Sequence, residues 1–206
     1  MLQKLESGEK LEEIEPKKHQ EINDLLEEKI DRAPTEHDEM QWRLIRLGNA
    51  AHFDVWVPPA DQGRQFAGHK FQNFVLREFH EALDIPSYIK NIDTVWKLGH
   101  SIKSAFEIEH STSIYSGILR LSDLKALAPN SSYPLFIVAE RDKKSKVFAQ
   151  LRRPTFANSY LQLDKYVRYL SYDAVRNLDE NIKAESLTGF GISWLVEASE
   201  LVAGNE

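Results

Sequence analysis

The period of the apolar positions changes several times along the chain, and each change marks an element. Between residues 1 and 34, Leu11, Ile14, Ile22, Leu25, Leu26 and Ile30 recur at helical spacings within a run of Glu and Lys. That pattern fits an acidic amphipathic helical extension or a solvated arm. Thr35 is a fair N-cap, and Glu36, Asp38 and Glu39 suit the positive end of a helix dipole. A helix is expected there, with Met40, Leu44 and Leu47 on its inner stripe, Trp42 and Ile45 beside them, and Gly48-Asn49 as its stop. Phe53, Val55 and Val57 then alternate with Asp54 and Trp56 up to Pro58-Pro59, which is strand spacing.

A loop with Asp61, Gly63, Arg64 and Gly68 follows, then an expected helix from Phe71 to Leu83. NIDTVWKL and SIKSAFEIEH, separated at Gly99-His100, read as a β-hairpin. STSIYSGILRLSDLKAL reads as a helix capped by Ser111 or Thr112, with Ile114, Ile118, Leu121 and Leu124 inward. PLFIVAE is a wholly apolar run suited to a central strand, DKKSKVFAQLRR a helix stopped before Pro154, and YVRYLSY a strand before a last helix. The pattern predicts one α/β domain over residues 35–206, preceded by the extension at 1–34.

Hairpin register follows from the same pattern. If Ile92, Trp96 and Leu98 share a core face with Ile102, Phe106 and Ile108, a three-residue loop over Gly99, His100 and Ser101 sets Asp93 opposite Glu107 and Asn91 opposite Glu109. A two-residue turn would put Asp93 across from Phe106. Asp93, Glu107 and Glu109 are thereby expected together on the non-core face. Three carboxylates that close repel one another. A hard divalent cation such as Mg²⁺ offsets that repulsion and supplies waters for attack on a phosphodiester. A solvated outer face is the plain alternative, and a sugar hydrolase fits less well because Glu107 and Glu109 share one side of one strand.

Charge and composition narrow the class. No apolar run approaches the roughly 18 residues of a membrane span, the chain has no cysteine for a disulfide framework or thiolate zinc site, and no signal-peptide core opens it. A cytoplasmic protein is expected. The net charge of −6 is poor for a nucleic-acid protein, but residues 1–40 hold 13 acidic and 6 basic side chains, leaving the body nearly neutral. Arg141, Lys143, Lys144, Lys146, Arg152 and Arg153 form the one strongly basic segment. Lys143, Lys144 and Lys146 are candidate DNA phosphate contacts, or simply a solvated helix face.

An Asp near a strand start followed by Glu-x-Glu on the next antiparallel strand resembles the PD-(D/E)XK nuclease superfamily. More closely, TEHDEMQWRLIRLG, FDVWVP, IDTVWKL, AFEIEHSTSIYSG, PLFIVAE and RRPTF resemble uncharacterised prokaryotic restriction-associated proteins assigned to it, over residues 35 to 175 or so. The resemblance implies a restriction-endonuclease-like three-layer core, with a mixed central sheet flanked by helices. It also implies a Mg²⁺-dependent DNA endonuclease, with Mn²⁺ as substitute, working in restriction or defence as a homodimer or with a partner recognition subunit. Asp93 and Glu107 become metal ligands, with the Ile108 backbone carbonyl as a third. Glu109 stands where most members have Lys, and can bind a second metal or act as general base. Such nucleases often draw another acidic group from the first helix, here Glu39 or, second, Glu36, although both also suit the helix dipole. Arg120 can reach a phosphate, and His110, by alternation, is expected core-side as a structural histidine. The alternative is a non-catalytic DNA-binding or protein-interaction module of a larger defence assembly.

Overall fold

The computed structural model describes residues 33–79, 86–110, 114–158, 160–184 and 190–202. The extension at 1–34 lies almost wholly outside them, as do the Ser111 and Thr112 caps. Thr35 opens a compact unit by capping α1 (Glu36–Ala50). Its hydroxyl accepts from the Asp38 amide at 3.3 Å, while Asp38 Oδ2 accepts from the Thr35 amide at 2.8 Å, a reciprocal capping box. The helix does not stop at Gly48. Trp96 packs so closely that a Cβ on Gly48 would sit 2.6 Å from its indole Nε1, and that indole donates to the Leu44 carbonyl at 3.1 Å. Gly48 therefore serves close packing, and α1 ends two residues later.

A six-stranded mixed sheet forms the centre. Its strands are β1 (Asp54–Trp56), β4 (Thr94–Leu98), β5 (Ser101–Glu109), β6 (Leu135–Ala139), β7 (Val167–Ser171) and β8 (Glu200–Leu201), in the order β1-β4-β5-β6-β7-β8. The β5, β6 and β7 pairings are parallel and the others antiparallel. A small hairpin of β2 (Gln65–Phe66) and β3 (His69–Lys70) stands apart, turning at Ala67 and Gly68 with φ of 50° and 81°. The expected helix over 71–83 is not formed in its described part. A 3₁₀ turn covers Phe71–Asn73, and the Leu76 amide then donates to the Val55 carbonyl of edge strand β1 at 2.7 Å. That backbone donor is spent on the sheet; residues 80–85 lie outside the described set.

Both faces of the sheet are core, as the expected three-layer arrangement has it, and the alternative of a solvated carboxylate face does not hold. On one side α2 (Ile114–Leu127) and α3 (Lys144–Leu151) bury Ile114, Ile118, Leu121, Leu124, Val147 and Leu151 against Val95, Ala105 and Ile137. On the other, α1 and α4 (Tyr172–Ala184) bury Met40, Leu44, Ile45 and Val175 against Trp96, Phe106 and Val138. The result is a three-layer α/β fold with a mixed central sheet between helices. The crossovers between the parallel strands β5, β6 and β7 carry α2 and α3 over one face of the sheet, and the all-apolar β6 is buried at every position.

The hairpin register holds where the site needs it and differs at the tip. Thr94, Val95 and Trp96 pair with Phe106, Ala105 and Ser104, so that continuation leads Asp93 toward Glu107. Beyond Trp96 the register shifts: Lys97 pairs with Ile102 and Leu98 with Ser101, leaving a two-residue turn and Lys103 as the extra residue of a bulge. The bulge accommodates the shorter turn without moving the carboxylates. It also reverses alternation, so Ile102 packs with the α2 side whereas Phe106 and Ile108 lie on the α1 side. Leu98 is exposed, and Ile92, preceding the strand, joins the α2-side core.

Candidate active site

Asp93 sits just before β4, and Glu107 and Glu109 are two apart near the end of β5, on the face that α2 covers. Asp93 Oδ2 accepts from the Ile108 amide at 2.7 Å, which ties the carboxylate to the adjacent strand and turns the backbone edge of Ile108 to its side. Glu107 is fully buried and Glu109 is 6% exposed. Arg120, on the second turn of α2, donates from Nε to Glu107 Oε1 at 2.7 Å and pairs its Nη2 with the other oxygen. The Gly117 amide donates to Glu109 Oε1 at 3.1 Å. Gly117 is required for that approach: a Cβ there would lie 2.3 Å from Glu109 Oε1 and 3.1 Å from Glu107 Cβ.

The electrostatics show a cluster short of positive charge. Burial, and then the nearby charge of Asp93, push the Glu107 carboxyl well above the usual range despite Arg120. The same two causes raise Glu109 to about 7. Arg120 is held protonated more firmly than usual by its bond to Glu107. Among the described residues, no group of three or more His, Asp or Glu stands ready-arranged around a metal position. Both Glu107 oxygens are instead occupied by the Arg120 guanidinium. The donor set still fits a hard divalent cation, being all carboxylate and carbonyl oxygen with excess negative charge to neutralise.

The first helix does not bring either acidic candidate to this cluster. Glu39 turns to Arg176 of α4, at 2.8 and 2.9 Å, and to Arg43 at 2.9 Å. Glu36 is exposed and lies 3.3 Å from His110 Nδ1. His110, expected core-side, is itself 54% exposed at the end of β5, where the alternation of the strand has ceased. The α1 residues that do reach Asp93 are His37, with Nε2 3.5 Å from Asp93 Oδ2, and Gln41, whose Nε2 donates to the Asp93 carbonyl at 2.6 Å. Burial depresses the His37 imidazole, but the bond and charge of Asp93 outweigh it and its pKa is raised. Sequence reasoning missed His37, Gln41 and Gly117. Only Gly117 left a signal, as a glycine inside a helical pattern facing the carboxylate strand.

The basic candidates are partnered. Lys143 lies 3.6 Å from Glu140 and Asp142, Lys144 pairs with Glu200, and Lys146 also has an interaction partner.

Fold and site together define a restriction-endonuclease-like α/β protein with a buried carboxylate cluster at the end of its hairpin. The chain belongs to the family of the Type II restriction enzyme NmeDI C-terminal domain, whose model matches residues 16–202 and so reaches back into the acidic opening segment. It is 30% identical over 152 residues to the Type II restriction enzyme NmeDI of Neisseria meningitidis serogroup C. The matched region covers 69% of this chain and 42% of that enzyme, so the chain spans less than half of its relative's length. No solved structure is a significant match. Among the described residues, no helix is long and apolar enough to cross a membrane.

Proposed function

We propose that this chain is a Mg²⁺-dependent DNA endonuclease of the PD-(D/E)XK type, acting in restriction or defence against foreign DNA. The observation that carries the reading is the meeting of Asp93, Glu107 and Glu109 beside α2, in a largely buried cluster where Arg120 is bonded directly to Glu107. Kinship to a Type II restriction enzyme supports it. Asp93, Glu107 and the Ile108 carbonyl would hold Mg²⁺, with Mn²⁺ as substitute. The chemistry so supplied is neutralisation of the phosphodiester charge and acidification of the attacking water.

The chain's own groups divide the remaining work. Glu109, with one oxygen on the Gly117 amide, takes the proton of the attacking water. Arg120, bonded to Glu107 here, would be free to turn its guanidinium to a phosphate oxygen were Glu107 to hold a cation instead. Lys143, Lys144 and Lys146 add long-range attraction for DNA, and the nearly neutral body calls for a second copy or a separate recognition element for tight binding.

A second reading draws on the Arg120 pair itself. A guanidinium already spanning Glu107 suits a non-catalytic DNA-binding or interaction module that keeps the fold. One assay separates the two: supercoiled plasmid with Mg²⁺ or Mn²⁺, wild type beside Glu107→Ala. Nicking by wild type alone is expected. Equal nicking by both variants rules out this site, and no nicking by either, with a recognition subunit added, favours the module.

A further inference from the structure

We infer that the contribution of α1 to the site is Gln41 rather than an acidic residue, and that Gln41 is a positioning residue for Asp93. The inference rests on the nuclease reading and names a group that reading does not use. Gln41 is fully buried. Its Nε2 donates at once to the Asp93 backbone carbonyl at 2.6 Å and to Asp61 Oδ2 at 3.1 Å. Both partners are acceptors, so the amide orientation follows, and a Glu in its place would face a carboxylate and a carbonyl with no proton to give.

The rest of the chain of contacts ends on the same aspartate. Arg64 bonds Asp61 Oδ1 and Asp38 Oδ1, each at 2.9 Å, and lies 3.4 Å from His37 Nδ1. His37 Nε2 in turn lies 3.5 Å from Asp93 Oδ2. Asp93 is thus gripped at its main chain by Gln41 and at its carboxylate by His37 and the Ile108 amide. The network is anchored in the capping box of α1, so the N-terminal turn of that helix sets where Asp93 stands relative to Glu107.

A purely structural role accounts poorly for this amide. Gln41 Oε1 is buried with no hydrogen-bond partner among the described residues, a loss of about 1–3 kcal/mol that works against the two bonds made by Nε2. An apolar side chain of the same size would avoid that loss. What it would not supply is the hold on the Asp93 carbonyl.

The test compares wild type, Gln41→Met and Arg64→Met, all as the full chain. Mn²⁺ binding is measured by calorimetry, and plasmid nicking is resolved into kcat and KM. Gln41→Met is expected to weaken Mn²⁺ binding roughly 10- to 100-fold, the usual effect of removing a group that orients a ligand. Its kcat should fall while KM for plasmid stays within about twofold, since substrate contacts are untouched. Arg64→Met, acting from a partly exposed loop, should shift both quantities the same way by a smaller factor. Mn²⁺ affinity and kcat unchanged in a folded Gln41→Met overturn the inference, and should that variant not fold, unchanged Arg64→Met does so instead. Wild type that neither binds Mn²⁺ nor nicks DNA overturns the nuclease reading and this inference with it. Failure of the inference alone appears only in the variants.

Discussion

Gly117→Ala tests whether α2 and the carboxylate strand are packed as closely as the site requires. The added methyl would lie 2.3 Å from Glu109 Oε1, well inside van der Waals contact, and 3.1 Å from Glu107 Cβ. The first contact can be relieved by swinging Glu109 away, which loses its 3.1 Å bond from the Gly117 amide. A hydrogen bond to a charged group contributes about 1.5–3 kcal/mol. The second contact is with a Cβ on a central strand, and it yields only if α2 moves outward; such overpacking costs about 1–3 kcal/mol. Alanine returns up to ~1 kcal/mol through helix propensity. The net loss is about 2–4 kcal/mol, and for a chain of this size each kcal/mol lowers Tm by about 2–4 °C. A metal-free thermal melt and a urea titration should therefore show Tm lower by roughly 5–15 °C and a lower midpoint at unchanged slope. Adding Glu109→Ala removes the closer contact and should restore part of the loss. Gly117→Ala at or above wild-type stability, or no recovery in the double variant, would refute the close packing of α2 on these carboxylates.

Arg120→Met leaves Glu107 buried without its cation, and breaking a buried pair from one side costs about 3–5 kcal/mol. The double variant Glu107→Met with Arg120→Met should recover most of it in urea denaturation; equal losses in both would show that Arg120 matters for packing alone. Glu39 is held below the usual carboxylate range by its bond from Arg176, with Arg43 adding to it. Asp38 is likewise lowered, burial being outweighed by Thr35 and Arg64. Because both folded values lie below the unfolded ones, their stabilisation is complete above pH ~4.5 and is lost as pH falls through the folded values. Glu39→Gln should flatten the stability profile between about pH 5 and pH 2, and an unchanged acid limb in pH-resolved melts would count against the Arg176 tie.

Much of the architecture was legible because it rests on period. The α2 stripe, the all-apolar β6 and the order of the longer helices and strands follow from spacing alone, and the structure shows each, whereas the two-residue strands β2, β3 and β8 are too short to leave a period. The register around Asp93 was legible for the same reason, although the two-residue turn that replaces the expected three-residue loop was not, because a bulge at Lys103 leaves no mark in composition. Phe71 to Leu83 misled through its apolar content, where a backbone bond to an edge strand decides the conformation. Glu39 and Gln41 show the limit most clearly. Both lie on α1 near the site in sequence, but which one turns to Asp93 is settled by Arg176 and Asp61, residues far away along the chain.

The bulge in the hairpin gives the chain an uneven tolerance for gain and loss of residues. Removing Lys103 takes out the unpaired residue and leaves Ser104 still facing Trp96, so the carboxylates keep their face. Removing Ile108 instead makes Glu107 and Glu109 adjacent on the strand, so alternation sends them to opposite faces, with no bulge beside them to take up the loss. Length variation in this hairpin is therefore confined by geometry to the tip. Two deletions five residues apart, at 103 and at 108, would have opposite fates.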